Sequence, residues 1–154
     1  MGVVAGALLI SWPMSPVATA DVRTPSHVTG NTYGGLTAQG IPVIMDMNST
    51  RRRVVRAATM LELTCTSGAE FVTPDKFFDL SVNRRGKFAF SFGPITERNA
   101  DGTTTDIQGR IAGAFNDART RLTGVWRLTV VEHDVAGAVT DTCDSGLVNW
   151  KAKQ

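Results

Sequence analysis

Four groups of residues in this chain have types and spacings that could do chemistry. Asp144-Ser145-Gly146 sets a hydroxyl beside an acid, an arrangement that suits a serine nucleophile only if a histidine reaches the hydroxyl and an acid orients that histidine. The candidates are His27, in a polar stretch, and His133, between Glu132 and Asp134. Neither position suggests a base, so no catalytic residue is expected and the tripeptide reads as a turn or bulge leading into the last strand. Residues 97–106, with Glu97, Asn99 and Asp101 at alternate positions before Gly102, have the start of a calcium loop. They lack its acid at the twelfth place and read as a hairpin loop. Cys65 and Cys143 allow a single pairing, and a disulfide is expected in an exported chain. Arg51, Arg52, Arg53, Arg84 and Arg85 form two basic runs whose guanidinium groups suit phosphate or carboxylate. No metal and no cofactor are expected.

The elements that must position these groups alternate with period two. Residues 55–65 place Val55, Ala57, Thr59, Leu61, Leu63 and Cys65 on one face. The same alternation puts Phe88, Phe90 and Phe92 together, then Ile107, Gly109, Ile111, Gly113 and Phe115, then Leu122, Gly124, Trp126, Leu128 and Val130, and finally Val148, Trp150 and Ala152. With "VIMDM" and "FFDLSV" these make about seven strands and no helix. The expectation is a single all-β antiparallel domain, a meander-like sandwich or a small barrel, over residues 33–154. If Phe115 faces Leu122, Gly113 meets Gly124 and Ile111 meets Trp126. This leaves room beside the Trp126 indole and marks it as core. "YGGLTAQG", residues 33–40, is too rich in small residues for a core strand and is expected at an edge or in close contact with another backbone.

A meander puts alternate turns at the same end. Cys65 and Cys143 then share one end, with Glu70, Asp75, Glu97, Asp101, Asp106, Glu132, Asp134, Asp141 and Asp144 against Lys76 and Arg98. The other end gathers Arg51, Arg52, Arg53, Arg56, Arg84, Arg85, Lys87, Arg119 and Arg121 against Asp117. A formal charge of +2 from 16 basic and 14 acidic residues therefore conceals two poles. The basic pole is either a set of solvated hairpin tips or a surface for an anionic cell-envelope polymer. Nucleic acid is disfavoured because no aromatic residues interleave with the arginines.

Residues 2–10, "GVVAGALLI", are followed by prolines and by Ala18-Thr19-Ala20, the pattern of a signal peptide over residues 1–20. The run is too short to span a bilayer. No basic residue precedes Arg23, which suggests a truncated start. Residues 21–32 read as a polar leader.

The head Tyr33-Gly34-Gly35-Leu36-Thr37-Ala38-Gln39-Gly40, the segments "GRIAGAF" and "LTGVW", and the tail "CDSGLVNW" resemble a group of small secreted bacterial proteins of unknown function. These carry a Tyr-x-Gly-x-Thr-x-Gln-Gly head and a Cys-Asp-x-Gly-x-Val-x-Trp tail. The resemblance implies export and a β fold and brings no catalytic residue. The resulting expectation is a secreted or cell-envelope, non-catalytic binding or structural module. Three alternatives remain open: a carbohydrate- or cell-wall-binding module using Tyr33 and Trp150, a barrel for a small apolar ligand, and a hydrolase using Ser145 with His133.

Overall fold

A computed structural model describes residues 31–154; the expected signal peptide and all but the end of the expected leader lie outside them. The described chain is all β, with nine antiparallel strands. They are β1 (Thr32–Thr37), β2 (Pro42–Met47), β3 (Arg53–Cys65), β4 (Glu70–Ser81), β5 (Lys87–Arg98), β6 (Thr104–Phe115), β7 (Arg121–His133), β8 (Val139–Asp144) and β9 (Val148–Lys153). Strands β1 to β4 form one meander and β5 to β8 a second. β9 then joins the two by pairing with both β7 and β1.

Two long strands each share one edge between two partners. β3 pairs with β2 over Val54–Thr59 and with β8 at Thr64 and Cys65, while β4 follows its other edge. β7 pairs with β9 over Arg121–Trp126 and with β8 over Thr129–His133, while β6 follows its other edge. The ladders therefore close a six-strand ring, β3-β2-β1-β9-β7-β8 and back to β3, with β4 and the β6–β5 pair as extensions. Cys65 and Cys143 lie directly opposite each other on β3 and β8 and form the disulfide there.

The core lines the inner face of this ring. The expected register holds: Phe115 faces Leu122, Gly113 faces Gly124, and Ile111 faces Trp126, which is fully buried. The space above the two glycines, however, belongs to Trp150. A Cβ at either position would collide with that indole, and one at Gly124 also with the Ala112 carbonyl. Trp150 in turn stacks on Phe88. Its ring nitrogen is buried with no hydrogen-bond partner, a cost accepted in exchange for the packing.

Three expectations about strands change. Residues 33–37 are a central strand between β2 and β9 and not an edge, while the expected close contact with another backbone holds at Gly35, where the Lys151 carbonyl approaches and any Cβ would clash. The strand begins at Thr32, one residue inside the expected leader, where the Thr32 hydroxyl donates to Asp46 at 2.8 Å. Val54, not Val55, faces the core, since the ladder shifts between Asp46 and Met47 opposite it.

β4 and β5 do not pair. Their inner faces meet through Phe77, whose ring centroid lies 5.7 Å from Phe90, 5.5 Å from Phe92 and 5.3 Å from Trp126. Phe90 stays 47% exposed at this seam although it shares a face with buried Phe88. Both free edges carry a residue that has no N–H to offer a new strand, Pro74 on β4 and Pro94 on β5.

The disulfide joins residues 78 apart in sequence. Loop closure of that length is worth up to about 4.5 kcal/mol in the chain-entropy account, and here the bond also fastens the strand that closes the ring. Cys143→Ser should lower the denaturation midpoint sharply in chemical unfolding. An unchanged midpoint would show that the ladders alone hold β8 against β3.

Candidate functional site

Turns 48–52, 82–86 and 116–120 lie at the end of the domain opposite the disulfide, as a meander requires. Two of them repeat one pattern. In Asn48-Ser49-Thr50-Arg51-Arg52-Arg53 and in Asn116-Asp117-Ala118-Arg119-Thr120-Arg121, the first Asn accepts backbone N–H bonds from the fifth and sixth residues through its side chain. Its backbone carbonyl accepts from the fourth. That fourth residue must adopt a left-handed conformation, and it is an arginine both times, with φ of 54° at Arg51 and 53° at Arg119. The third turn, Asn83-Arg84-Arg85-Gly86-Lys87, is also built on an Asn, whose side chain here accepts from the third and fifth residues, with the expected Gly86 in the left-handed place.

An arginine in the left-handed region costs about 1–2 kcal/mol relative to the right-handed one. Here the two arginines clasp each other: Arg51 Nη1 donates to the Arg119 carbonyl and Arg119 Nη1 to the Arg51 carbonyl, both at 3.2 Å. The buried Tyr33 hydroxyl donates to the same Arg119 carbonyl at 2.6 Å. Arg51 also donates to Gln154 at 3.0 Å, and the Arg119 guanidinium lies 5.5 Å from the centroid of the Phe115 ring.

This arrangement sorts the expected anion-binding residues. Arg51 is half-buried and belongs to the clasp, so it fixes the turns in place and does not act as an open cation. Arg53 lies 3.4 Å from Asp79, an acid at this pole that the sequence reading left out, and Arg56 pairs with Asp46 at 2.7 Å along the strands. Arg52, Arg84 and Arg85 are exposed, and among the described residues none of them forms a salt bridge. Arg52, Arg84 and the clasped Arg119 line a cleft of about 380 Å³ with Val82 and Asn83, and no carboxylate lines it. Its two edges are tied together by Val82 N–H donating to the Arg52 carbonyl at 2.9 Å. The repeated Asn-x-x-Arg-x-Arg hexapeptide was the available sequence signal for Arg119.

Other candidates fare differently. Tyr33 and Trp150 are 0% and 1% exposed, so neither offers a ring face to a sugar. Ser145 sits where the partner of β7 changes from β8 to β9. Its hydroxyl accepts from Leu128 N–H at 2.9 Å and donates to the Gly146 carbonyl at 3.0 Å, with Gly146 in a left-handed bend. The residue is a bulge, as its sequence suggests. His133 pairs with Asp106 at 3.1 Å. It stands five residues beyond Leu128 on β7, about 17 Å along the strand from the Ser145 hydroxyl. His27 lies outside the described residues. In the 97–106 loop, the Asp101 carboxylate accepts from the backbone and hydroxyl of Thr103.

At the disulfide end, Asp141 accepts from the Thr66 and Ser67 hydroxyls, each at 2.6 Å, which draws its pKa down to about 2. Asp75, expected in a turn there, is instead buried in mid-strand. Its carboxylate accepts from Trp126 Nε1 at 2.6 Å and from Lys76 N–H at 2.8 Å. Burial pushes its pKa up, and these hydrogen bonds only partly oppose that. No protein family, curated protein or solved structure matches the chain.

Two expected outcomes follow from these groups. A raised pKa in the fold means that Asp75 favours folding below its unfolded pKa, and this advantage is lost as pH rises through the raised value. Asp75→Asn keeps an acceptor for the indole without the buried charge, so it should match or exceed the parent in stability at pH 7. Asp75→Ala orphans the indole N–H and should cost about 1–3 kcal/mol; urea titrations at pH 4 and pH 7 compare the three. For the clasp, Arg119→Ala should destabilise by about 1–2 kcal/mol. Arg119→Gly, which suits the left-handed backbone, should be milder by about 1 kcal/mol. Equal losses in thermal denaturation would mean that the backbone conformation carries no strain.

Proposed function

We propose that this chain is an exported, non-catalytic binding domain that takes an anionic cell-envelope polymer at its basic turns. The observation that carries the reading is the cleft that Arg52, Arg84 and Arg119 line from three different turns, without a carboxylate among the lining residues. Ordinary solvated tips would mix charges of both signs, because that suppresses self-repulsion and non-specific contacts. The Arg51–Arg119 clasp supports the reading further, since it holds one wall of the cleft rigid and so lowers the ordering cost of binding. Export is supported by the signal-like residues 1–20 and by the disulfide, which suits an oxidising compartment.

The carbohydrate alternative loses its proposed stacking platform with the burial of Tyr33 and Trp150. The apolar-ligand alternative must contend with an interior already occupied by Trp126, Trp150 and Tyr33. The test is retention on heparin against a matched neutral matrix across a salt gradient. Replacing both Arg84 and Arg85 by Ser should bring elution to lower salt, since such contacts are screened within about 10 Å at 0.1 M. Folding stability should stay within about 0.5 kcal/mol of the parent. Equal retention of parent and variant would reduce the pole to a solubility feature.

A further inference from the structure

The outer face of β1, β9 and β7 carries a second cationic feature that the turns do not explain. An open groove of about 940 Å³ runs over these strands, and no Asp or Glu lines it. Register places its side chains in rows. Gly34, Lys153 and Arg121 lie side by side across the three strands, and Leu36, Lys151 and Thr123 form the next row. Lys153 and Arg121 are thus directly opposed like charges, an arrangement that destabilises a ladder. Lys151 stands two residues away on the same face, and none of the three forms a salt bridge among the described residues. The fold offers no compensating carboxylate for this repulsion among the residues that line the groove.

The two adjacent glycines of β1 separate structure from function. Gly35 is required by the fold, because a Cβ there would strike the Lys151 carbonyl. Gly34 has no such reason: a Cβ would meet nothing within 4 Å, and the residue does not adopt positive φ. Glycine in a strand interior weakens the strand, yet here it leaves the groove open beside Lys153. The groove also connects with the basic pole. Gln154 N–H donates to the Thr120 carbonyl at 3.2 Å, and Gln154 receives the Arg51 guanidinium, so the end of β9 runs directly into the clasped turns.

We infer that this groove holds an extended segment of an anionic glycan chain, continuing the site at the turns. Lysine and arginine meet its carboxylate or sulfate groups, while Thr123 and Asn149 offer hydrogen bonds to hydroxyls along about 13 Å of β9 from Asn149 to Lys153. No exposed aromatic ring lines the groove, which favours a glycan over single-stranded nucleic acid. The inference rests on the proposed binding of an anionic polymer and adds both its path and its chemical class.

The experiment titrates the parent protein, Lys151→Ser/Lys153→Ser, Arg84→Ser/Arg85→Ser and Gly34→Val with heparin oligosaccharides of increasing length and with polyphosphate of matched charge. For the parent, affinity should rise with oligosaccharide length until the chain spans both the turns and the groove. The lysine variant should lose that dependence, and its slope of log affinity against log salt should fall by about two. Gly34→Val should melt no lower than the parent but bind the long oligosaccharide more weakly, a combination that a structural role for Gly34 does not produce. If both groove variants bind long oligosaccharides like the parent while the Arg84/Arg85 variant does not, the groove assignment is overturned and the turn site stands. Absence of binding by the parent overturns both. Equal affinity for polyphosphate, lost equally in the lysine variant, overturns the glycan assignment.

Discussion

The fold depends on one change of partner. Between Asp144 and Val148 the chain stops pairing with β3 and begins pairing with β1, while keeping β7 on its other side throughout. A regular strand cannot do this, because its next residues would continue along the same neighbour. The Asp144-Ser145-Gly146 bulge makes the switch. Gly146 takes the left-handed bend, and the Ser145 hydroxyl accepts the Leu128 N–H that the interrupted ladder would otherwise orphan. Asp144 holds the near side of the break through Arg127, at 2.6 Å, and through the Thr129 hydroxyl at 3.0 Å. A sequence element that suggests a nucleophile is thus explained by backbone hydrogen bonding.

The opposite end of the ring meets a different requirement. Turns there must hold two meanders together without a covalent bond, and the repeated Asn-x-x-Arg-x-Arg turns do so by exchanging guanidinium–carbonyl contacts. The arginines that make the clasp are conformationally costly; of the two at the last place of the repeat, Arg53 meets Asp79 and Arg121 forms no salt bridge among the described residues. The same short sequence repeat therefore provides both cohesion and a surplus of positive charge. Of the cations that line the carboxylate-free cleft and groove, Arg119 and Arg121 come from the repeated positions, while Arg52, Arg84, Lys151 and Lys153 are added around them.

Period-two alternation made most of this fold legible. It gave the inward faces of β6, β7 and β9 and, with one assumed pair, the register of β6 on β7. The meander rule gave the common end of the cysteines and the common end of the arginines. What escaped depends on contacts between segments distant in sequence. β1 was unreadable as a central strand because Gly34 and Gly35 have no side chains to alternate, and only the Lys151 carbonyl explains why one of them must be glycine. β8 is short and polar, so its strand character comes from two neighbours and not from its own pattern. The glycine-lined space is legible, but its occupant is Trp150 and not Trp126, which follows only from β9 lying beside β7. Asp75 reads as a turn residue in sequence, because an acid in mid-strand makes sense only opposite the indole that it accepts from. The basic turns were legible as a pole, whereas Lys151 and Lys153 were not, because their position beside Arg121 is created by β9 inserting between the meanders.

The meeting of β4 and β5 gives the molecule an uneven resistance to opening. Within the six-strand ring, separating two neighbours breaks a ladder of backbone hydrogen bonds, but between the extensions β4 and β5 it parts the ring of Phe77 from those of Phe90 and Phe92. Behind Phe77 on this line lies the buried Asp75–Trp126 pair. The outer edges of β4 and β5 are paired with no strand, whereas β3, β7 and β9 are paired along both of theirs, so local opening costs least at β4 and β5. The two meanders thus meet without a ladder beside the closed ring, where the chain passes from the first to the second.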